Sequence, residues 1–161
     1  MQIDLGVRDA APDNALAAAR RAEDGGFDGI QFPELAHDPL LACTLAGSAT
    51  ERIRTATSVT VAFARNPMIV AQAANDAQLA SRGRFSLGLG SQVRAHIERR
   101  FSMPWTAPAP RMREFIGAVR AIWRSWETGE KLAFEGEHYS HSLMTPMFSP
   151  GPDPHGPPDI R

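Results

Sequence analysis

The sequence predicts an α/β fold in which short parallel strands alternate with helices. Four apolar segments begin at residues 2, 29, 54 and 84, and a helical pattern follows each of them. Their starts are roughly thirty residues apart, which is the length of one strand-helix-strand unit. Connections of this length join parallel strands through right-handed crossovers. With 161 residues, the chain is long enough for one domain with a hydrophobic core.

Local signals bound each predicted element. The first helix is predicted from Asp13 to Gly25, because aspartate favours a helix start and glycine a helix end. The next two helices open alike, since Asp38 and Asn66 each precede a proline that suits the first helical position. A longer amphipathic helix is predicted to end at Gly129. The strands are predicted over residues 2–7, 29–34, 54–63 and 84–90.

Two parallel architectures fit this alternation, an open doubly wound sheet and a (β/α) barrel. The open sheet is expected to carry a glycine-rich phosphate turn after its first strand, and Gly6-Val7-Arg8-Asp9 is not such a turn. Gly88 and Gly90 do not make a dinucleotide fingerprint either, because Val93 stands where a third glycine is required. The sequence therefore favours a barrel of the TIM-barrel type. About four of the eight βα units are recognisable, which is half a barrel.

The last thirty residues depart from this pattern. Residues 132–140 are predicted to form a hairpin around Glu135-Gly136. Six prolines follow within the eighteen residues 144–161, which excludes a regular helix or a central strand there. We therefore divide the chain into a half barrel over residues 1–130 and a segment over 131–161, in which the hairpin is followed by a loop that leads to a missing strand.

Charge and composition exclude several function classes. Seventeen basic and eighteen acidic side chains leave a net charge of −1, so no overall field attracts nucleic acid or an anionic membrane. No apolar run approaches the ~18 residues of a membrane span, and the lone Cys43 fits a reducing compartment. We expect a cytoplasmic protein that binds a small molecule and no metal. The arginines at positions 94, 99, 100, 111 and 113 are expected to coat solvated helix faces or to take part in ion pairs.

Five segments, taken in order, resemble the bacterial luciferase-like monooxygenase superfamily, and within it the deazaflavin-dependent (coenzyme F420) oxidoreductases. They are AEDGGFDGIQFPE (22–34), ATERIRT (49–55), TSVTVAFARNPMIVAQ (57–72), GRFSLGLGSQVRAHIERRF (83–101) and RMREFIGAVRAIW (111–123). Together they cover nearly the whole chain. They align with only the amino-terminal half of the family's barrel, so the resemblance implies that the carboxyl-terminal half is absent.

The resemblance implies a cofactor site at the carboxyl-terminal mouth of the barrel. In the family, a tricyclic ring lies there against a bulge in the third strand that contains a non-prolyl cis peptide, which by motif position is Ser58–Val59. Gly88 and Gly90 would let the fourth strand approach the ring edge, and the side chains of Ser91 and Gln92 would bond its polar pyrimidine side. The alternative is an ordinary strand and a tight strand exit.

Two further residues are candidates for proton transfer by the same resemblance. Glu34 ends the second strand, where the family often has an acidic residue followed by histidine. Here Leu35 replaces that histidine, and His37 lies two residues further on. The alternative for His37 is that it helps Asp38 to cap the next helix.

The implied reaction is hydride transfer between an organic substrate and carbon five of coenzyme F420. One alternative is a monooxygenase that uses reduced FMN and molecular oxygen. A second alternative, from a different class, is a truncated fragment without catalytic activity. A half barrel also leaves two sheet edges open, which a second copy could cover in a homodimer.

Overall fold

A computed structural model describes residues 1–161 and contains nine strands and five α-helices. Two short 3-10 turns, Ala62–Ala64 and Pro146–Phe148, complete the regular structure. The strands are β1 (Asp4–Gly6), β2 (Gly29–Phe32), β3 (Arg54–Thr57), β4 (Thr60–Val61), β5 (Phe85–Leu87), β6 (Leu89–Gly90), β7 (Phe134–Glu135), β8 (Ser140–His141) and β9 (Asp159–Ile160). The helices are α1 (Pro12–Asp24), α2 (Pro39–Ser48), α3 (Pro67–Ala80), α4 (Arg94–Arg99) and α5 (Pro108–Thr128).

The alternation of parallel strands and helices is confirmed. Five strands form one sheet in the order β1-β2-β3-β5-β9, and every neighbouring pair in it is parallel. Ile30 is in register with both Leu5 and Thr55, and Thr55 is in register with Phe85. Helix α1 connects β1 to β2, and α2 connects β2 to β3. Helix α3 lies between β4 and β5, so the helices and strands alternate as the repeat of the apolar segments predicts.

The chain folds into two compact units that are interleaved along the sequence. Residues 1–60, 73–89 and 157–161 form the first, which we call the sheet unit because it holds the five-stranded parallel sheet. Residues 61–72 and 90–156 form the second, which we call the helical unit because it holds α4 and α5. These units do not follow the division at residue 130 that the sequence suggests.

The two faces of the parallel sheet differ in polarity. Ile30, Phe32 and Leu87 are fully buried on one face of the sheet. Alternate residues point to the opposite face, where Gln31 and Arg54 remain partly exposed. The sheet therefore has one apolar face and one polar face.

The tail contains a hairpin and a fifth parallel strand. In the helical unit, β7 and β8 are antiparallel, with Phe134 opposite His141. In the sheet unit, β9 runs parallel to β5, with Ser86 in register with Asp159. The sequence predicts that the strand after the loop is missing from the chain. The structure shows that the first residues of this strand, Asp159 and Ile160, are present and form β9. The proline run stops at Pro158, so the following residues have the backbone N–H groups that a ladder requires.

Helix starts and stops follow the predicted signals, with one exception. The Asp38 carboxylate accepts the N–H of Leu40 at 2.8 Å, and the Asn66 amide oxygen accepts the N–H of Met68 at 2.8 Å. α5 ends at Gly129, whose φ of 72° is the left-handed conformation that glycine favours. The first helix differs from the prediction, because it begins at Pro12 without a side-chain cap.

The helical unit packs around the apolar face of α5, as its periodicity predicts. Phe115, Val119 and Trp123 are buried there, and the Trp123 indole N–H donates to the Ala71 carbonyl oxygen at 3.1 Å. The prediction for Arg111, however, was wrong. Its side chain is buried, and the guanidinium lies 4.4 Å from the centre of the Phe63 ring and donates to the Pro104 carbonyl at 2.7 Å and the Tyr139 hydroxyl at 2.9 Å.

Candidate functional site

The bond between Ser58 and Val59 is a cis peptide, as predicted. It follows β3 directly, at the carboxyl end of the strand. The Ser58 N–H donates to the carbonyl of Phe32 at 2.8 Å, and the Thr60 N–H donates to that of Gly88 at 2.8 Å. This short segment is therefore tied to the strands on both sides. The side chains of Ser58 and Val59 remain exposed.

A cavity of about 170 Å³ lies beside this segment, within the sheet unit. It opens where β2, β3 and β5 end, which is the edge at which parallel α/β folds place their ligands. Three of the predicted cofactor-binding residues, Ser58, Val59 and Gly88, belong to its lining. The remaining lining residues are Gln31, Ala56, Thr57, Ser86 and Arg161.

Gln31 and Ser86 also line the cavity, and the sequence did not single them out. Both lie on the polar face of the sheet, because Gln31 is in register with Ala56, and Ala56 with Ser86. The available signal was a polar residue at every second position of an otherwise apolar strand. That signal marks a solvated face as readily as a binding site, so it could not have identified the cavity by itself.

A hydrogen-bond network lies on the same polar face, towards the other end of the strands. The Gln31 side-chain N–H donates to one Asp4 carboxylate oxygen at 3.0 Å, and Arg54 donates to the other at 2.9 Å. Arg54 also donates to the side-chain carbonyl of Gln2 at 2.8 Å. A side chain at Gly29 would meet the Asp4 carboxylate, so the glycine leaves room for this arrangement.

The structure places Gly90, Ser91 and Gln92 in the helical unit. The Ser91 hydroxyl donates to the Gln92 carbonyl at 3.2 Å, and the Gln92 side-chain oxygen accepts the N–H of Val93 at 2.9 Å. Gln92 has a φ of 60°, and its side-chain bond helps to hold this turn. Contact of these residues with a cofactor stays a prediction.

Glu34 and His37 lie on the loop between β2 and α2. The second strand ends at Phe32, two residues before Glu34, because Pro33 has no N–H with which to continue the ladder. Glu34 is half-buried and His37 is exposed. The side chain that caps α2 is that of Asp38. A role for Glu34 and His37 in proton transfer stays a prediction.

The parallel sheet and the helices that alternate with its strands have the arrangement of half a TIM barrel, and the cavity lies at the carboxyl edge of this sheet. The family model for luciferase-like monooxygenases matches residues 2–160, and the chain belongs to this family. Members of the family are oxidoreductases and monooxygenases.

None of the helices combines the length and the apolar composition that a bilayer crossing requires.

The similar proteins are about twice as long as this chain. Rv1360 of Mycobacterium tuberculosis, an uncharacterised protein, is 55% identical over 146 residues, which are 91% of this chain and 43% of the relative. Rv3520c of the same organism, named as a coenzyme F420-dependent oxidoreductase, is 36% identical over 116 residues, which are 70% of this chain and 33% of the relative.

A solved structure shares the fold. The oxygenating constituent of 3,6-diketocamphane monooxygenase from Pseudomonas putida, in complex with FMN, superposes with a TM-score of 0.81 at 18% identity. The match covers 99% of this chain and 50% of that protein. The chain thus spans about half the length of the proteins that it matches.

Proposed function

We propose that this chain contributes the cofactor-binding half of an oxidoreductase that transfers a hydride between an organic substrate and coenzyme F420. The observation that carries the proposal is the cavity at the carboxyl ends of β2, β3 and β5, where TIM-barrel enzymes bind their ligands. The likeness to Rv3520c supports this choice of cofactor. Because the chain spans less than half of that relative, the proposal concerns the residues that it adds to the site.

The lining of the cavity suits the edge of a flat heterocycle. Ala56 and Gly88 have little or no side chain, so a planar ring can approach the backbone closely. Ser58 and Ser86 carry hydroxyl groups that can donate to ring carbonyl oxygens. The bound deazaflavin supplies the hydride chemistry at carbon five, and these residues bind and orient it.

Arg161 adds a positive charge to this lining. Its guanidinium lies 4.0 Å from the Asp159 carboxylate, with about half of the side chain exposed, so most of its donors remain free for a ligand. A cation beside the pyrimidine part of the ring favours the reduced form, on which negative charge develops. We propose that Arg161 stabilises the reduced cofactor. Gly90, Ser91 and Gln92 keep their proposed role at the pyrimidine side of the ring.

Glu34 and His37 are the proposed groups for proton transfer to or from the substrate. They lie on the loop that follows β2, and the loops at the carboxyl ends of barrel strands carry the catalytic groups of this fold class. Carboxylate and imidazole are both capable of general acid-base chemistry. The Glu34→Gln and His37→Asn variants would lower turnover and leave cofactor affinity unchanged.

An FMN-dependent monooxygenase is the second candidate function. It is favoured by the likeness of fold to the FMN-bound monooxygenase from Pseudomonas putida. Deazaflavin has carbon where flavin has N5, so it does not readily form the oxygen adduct that monooxygenation needs. Binding of reduced FMN together with oxygen consumption would favour this candidate.

A third proposal concerns the open edges of the sheet. The first and last strands in the sheet order are β1 and β9, and each offers unpaired backbone groups. We propose that a second copy of the chain covers these edges in a homodimer. If the protein is monomeric by light scattering and binds neither cofactor, the inert-fragment alternative is favoured instead.

Titration of the purified protein with coenzyme F420 and with FMN tests the proposed function. Saturable binding of coenzyme F420, followed by the absorbance of the ring, is the expected result. Ala56→Leu would fill the cavity and weaken binding at least tenfold, whereas Ala95→Leu, at an exposed position of α4, would leave it unchanged. Absence of saturable binding of either cofactor to the folded wild-type protein would overturn the proposal.

A further inference from the structure

The orientation of the Gln31 side chain follows from its partner. Its amide nitrogen lies 3.0 Å from an Asp4 carboxylate oxygen. An ionised carboxylate accepts hydrogen bonds and cannot donate them, so the amide must present its N–H group to Asp4. The amide oxygen of Gln31 is therefore directed away from Asp4.

Asp4 is itself held in place by a second charged group. Arg54 donates to the other Asp4 oxygen at 2.9 Å, and a further donor of Arg54 reaches Gln2 at 2.8 Å. Hydrogen bonds between ionised partners are shorter and stronger than neutral ones. The chain of contacts Gln2-Arg54-Asp4-Gln31 therefore keeps the Gln31 amide from turning over.

The Gln31 side-chain oxygen has no donor within the chain, and Gln31 lines the cavity beside Ser58 and Gly88. Gln31 thus brings to the lining of the cavity an amide of fixed orientation whose oxygen has no partner within the chain. A ligand that fills it gains a hydrogen bond only if it brings an N–H or O–H donor to this point. At about 170 Å³, the cavity is smaller than the roughly 300–1,000 Å³ of whole-ligand pockets, so it suits one edge of a larger molecule.

We propose that the Gln31 side-chain oxygen accepts a hydrogen bond from the imide N–H of the pyrimidinedione ring of the bound cofactor. Asp4 and Arg54 act as positioning residues that hold the amide in the accepting orientation. The inference rests on the proposed function. It does not depend on which of the two cofactors binds, because flavin and deazaflavin carry the same imide.

The test compares each cofactor with its derivative methylated at the imide nitrogen. FMN and 3-methyl-FMN, and coenzyme F420 and its corresponding N-methyl derivative, are titrated into the wild-type protein and into Gln31→Leu. The wild-type protein is expected to prefer the unmethylated cofactor by roughly threefold to tenfold, the worth of one hydrogen bond. Gln31→Leu is expected to bind the unmethylated cofactor more weakly than the wild-type protein does, and to lose the preference for it over the methylated derivative.

Gln31→Leu also separates hydrogen bonding from steric exclusion. Leucine is close to glutamine in size, so a preference that arises only from a methyl clash would persist in the variant. Asp4→Asn tests the positioning role, because an asparagine amide can donate as well as accept and no longer dictates which way Gln31 faces. This variant is expected to reduce the preference without abolishing binding, and circular dichroism checks that each variant folds.

The outcomes distinguish this inference from the proposed function. The wild-type protein could bind a cofactor without preferring the unmethylated form, or Gln31→Leu could keep that preference. Either result would show that Gln31 does not accept the imide hydrogen bond, and the proposed function would stand. If the folded wild-type protein binds neither cofactor, both are wrong.

Discussion

The Thr57 hydroxyl forms hydrogen bonds with both the backbone N–H and the backbone carbonyl of Gly88. It accepts the Gly88 N–H at 2.9 Å and donates to the Gly88 carbonyl at 2.8 Å. A Cβ atom at position 88 would collide with the Thr57 carbonyl oxygen. The glycine thus allows β3 and β5 to approach at the rim of the cavity.

Loss of the Thr57 hydroxyl is expected to destabilise the protein. Thr57→Val keeps the shape of the side chain but leaves both Gly88 backbone groups without this partner, at a cost of about 1–3 kcal/mol. Gly88→Ala is expected to be more severe, because the methyl group meets backbone. Gly6→Ala is the matched control, since a Cβ atom there has no neighbour within 4 Å. Urea unfolding of the variants measures these effects, and equal stability of the two alanine variants would contradict the explanation.

Glu23 is expected to stabilise the protein in a pH-dependent way. Its carboxylate accepts the backbone N–H groups of Glu51, Arg52 and Ile53. Burial alone would raise its pKa, but these three donors outweigh burial and lower the pKa below its ordinary value of 4.5. A lowered pKa gives stability that is fully present above pH 4.5 and is lost as the pH falls through the lower value of the folded state.

The Glu23→Gln variant tests this pH dependence. Its thermal midpoint is expected to lie below that of the wild-type protein at pH 7, and the gap should close as the pH falls below the ordinary pKa of the carboxyl group. Glu51→Gln is a suitable control, because this exposed neighbour forms no side-chain hydrogen bond in the loop. A gap that is the same at pH 3 and pH 7 would count against the argument.

Arg84 is expected to be necessary for the loop between α2 and β3. Its guanidinium donates to the carbonyl oxygens of Gly47, Thr50 and Ile53, at 3.0, 2.8 and 2.5 Å. Arg84→Met should cost about 1.5–3 kcal/mol, the range for hydrogen bonds to a charged group. Arg84→Lys should lose less stability than Arg84→Met but remain below the wild-type protein, because a lysine ammonium lacks the planar, forked donors of a guanidinium. Denaturant unfolding measures both, with the exposed Arg82→Met as the control.

Glu114 is expected to anchor the β7–β8 hairpin to α5. Its carboxylate accepts the backbone N–H groups of Glu137, His138 and Tyr139. In Glu114→Ala these three amides lose their acceptor, so their hydrogen exchange should become at least tenfold faster. Arg113→Ala, at the exposed neighbouring position, should leave the exchange rates unchanged. Unchanged protection in the Glu114 variant would show that other contacts hold the hairpin.

Cys43 is expected to be unreactive in the folded protein. The thiol is fully buried in α2, and burial raises its pKa well above the usual value. The reactive thiolate is therefore scarce near neutral pH, and the reagent has no access to it. Labelling with a thiol-reactive dye should proceed in urea and fail under native conditions. Rapid labelling of the native protein would indicate local opening of α2.

Local signals in the sequence were sufficient for the alternation of strands and helices, although they did not reveal the break after Thr57 or the strand β9. The strands that begin at Gly29 and Arg54 start where their apolar runs start, and Asp38 and Asn66 cap the helices that they precede. These signals act over a few residues, through backbone capping and the periodicity of apolar side chains. The position of the cis peptide at Ser58 came from the resemblance to a family and not from such local physics.

The site depends on contacts between residues that are distant along the chain. Gln31 meets Asp4 across 27 positions, and Asp4 meets Arg54 across 50. No local pattern encodes such pairs, because they arise only when the register of the parallel strands places alternate side chains on one face. For the same reason the sequence left the burial of Arg111 undetected, since its ring and carbonyl partners come from separate segments. The sequence alone determined the alternation of strands and helices, and the tertiary structure decided which polar side chains meet at the edge of the sheet.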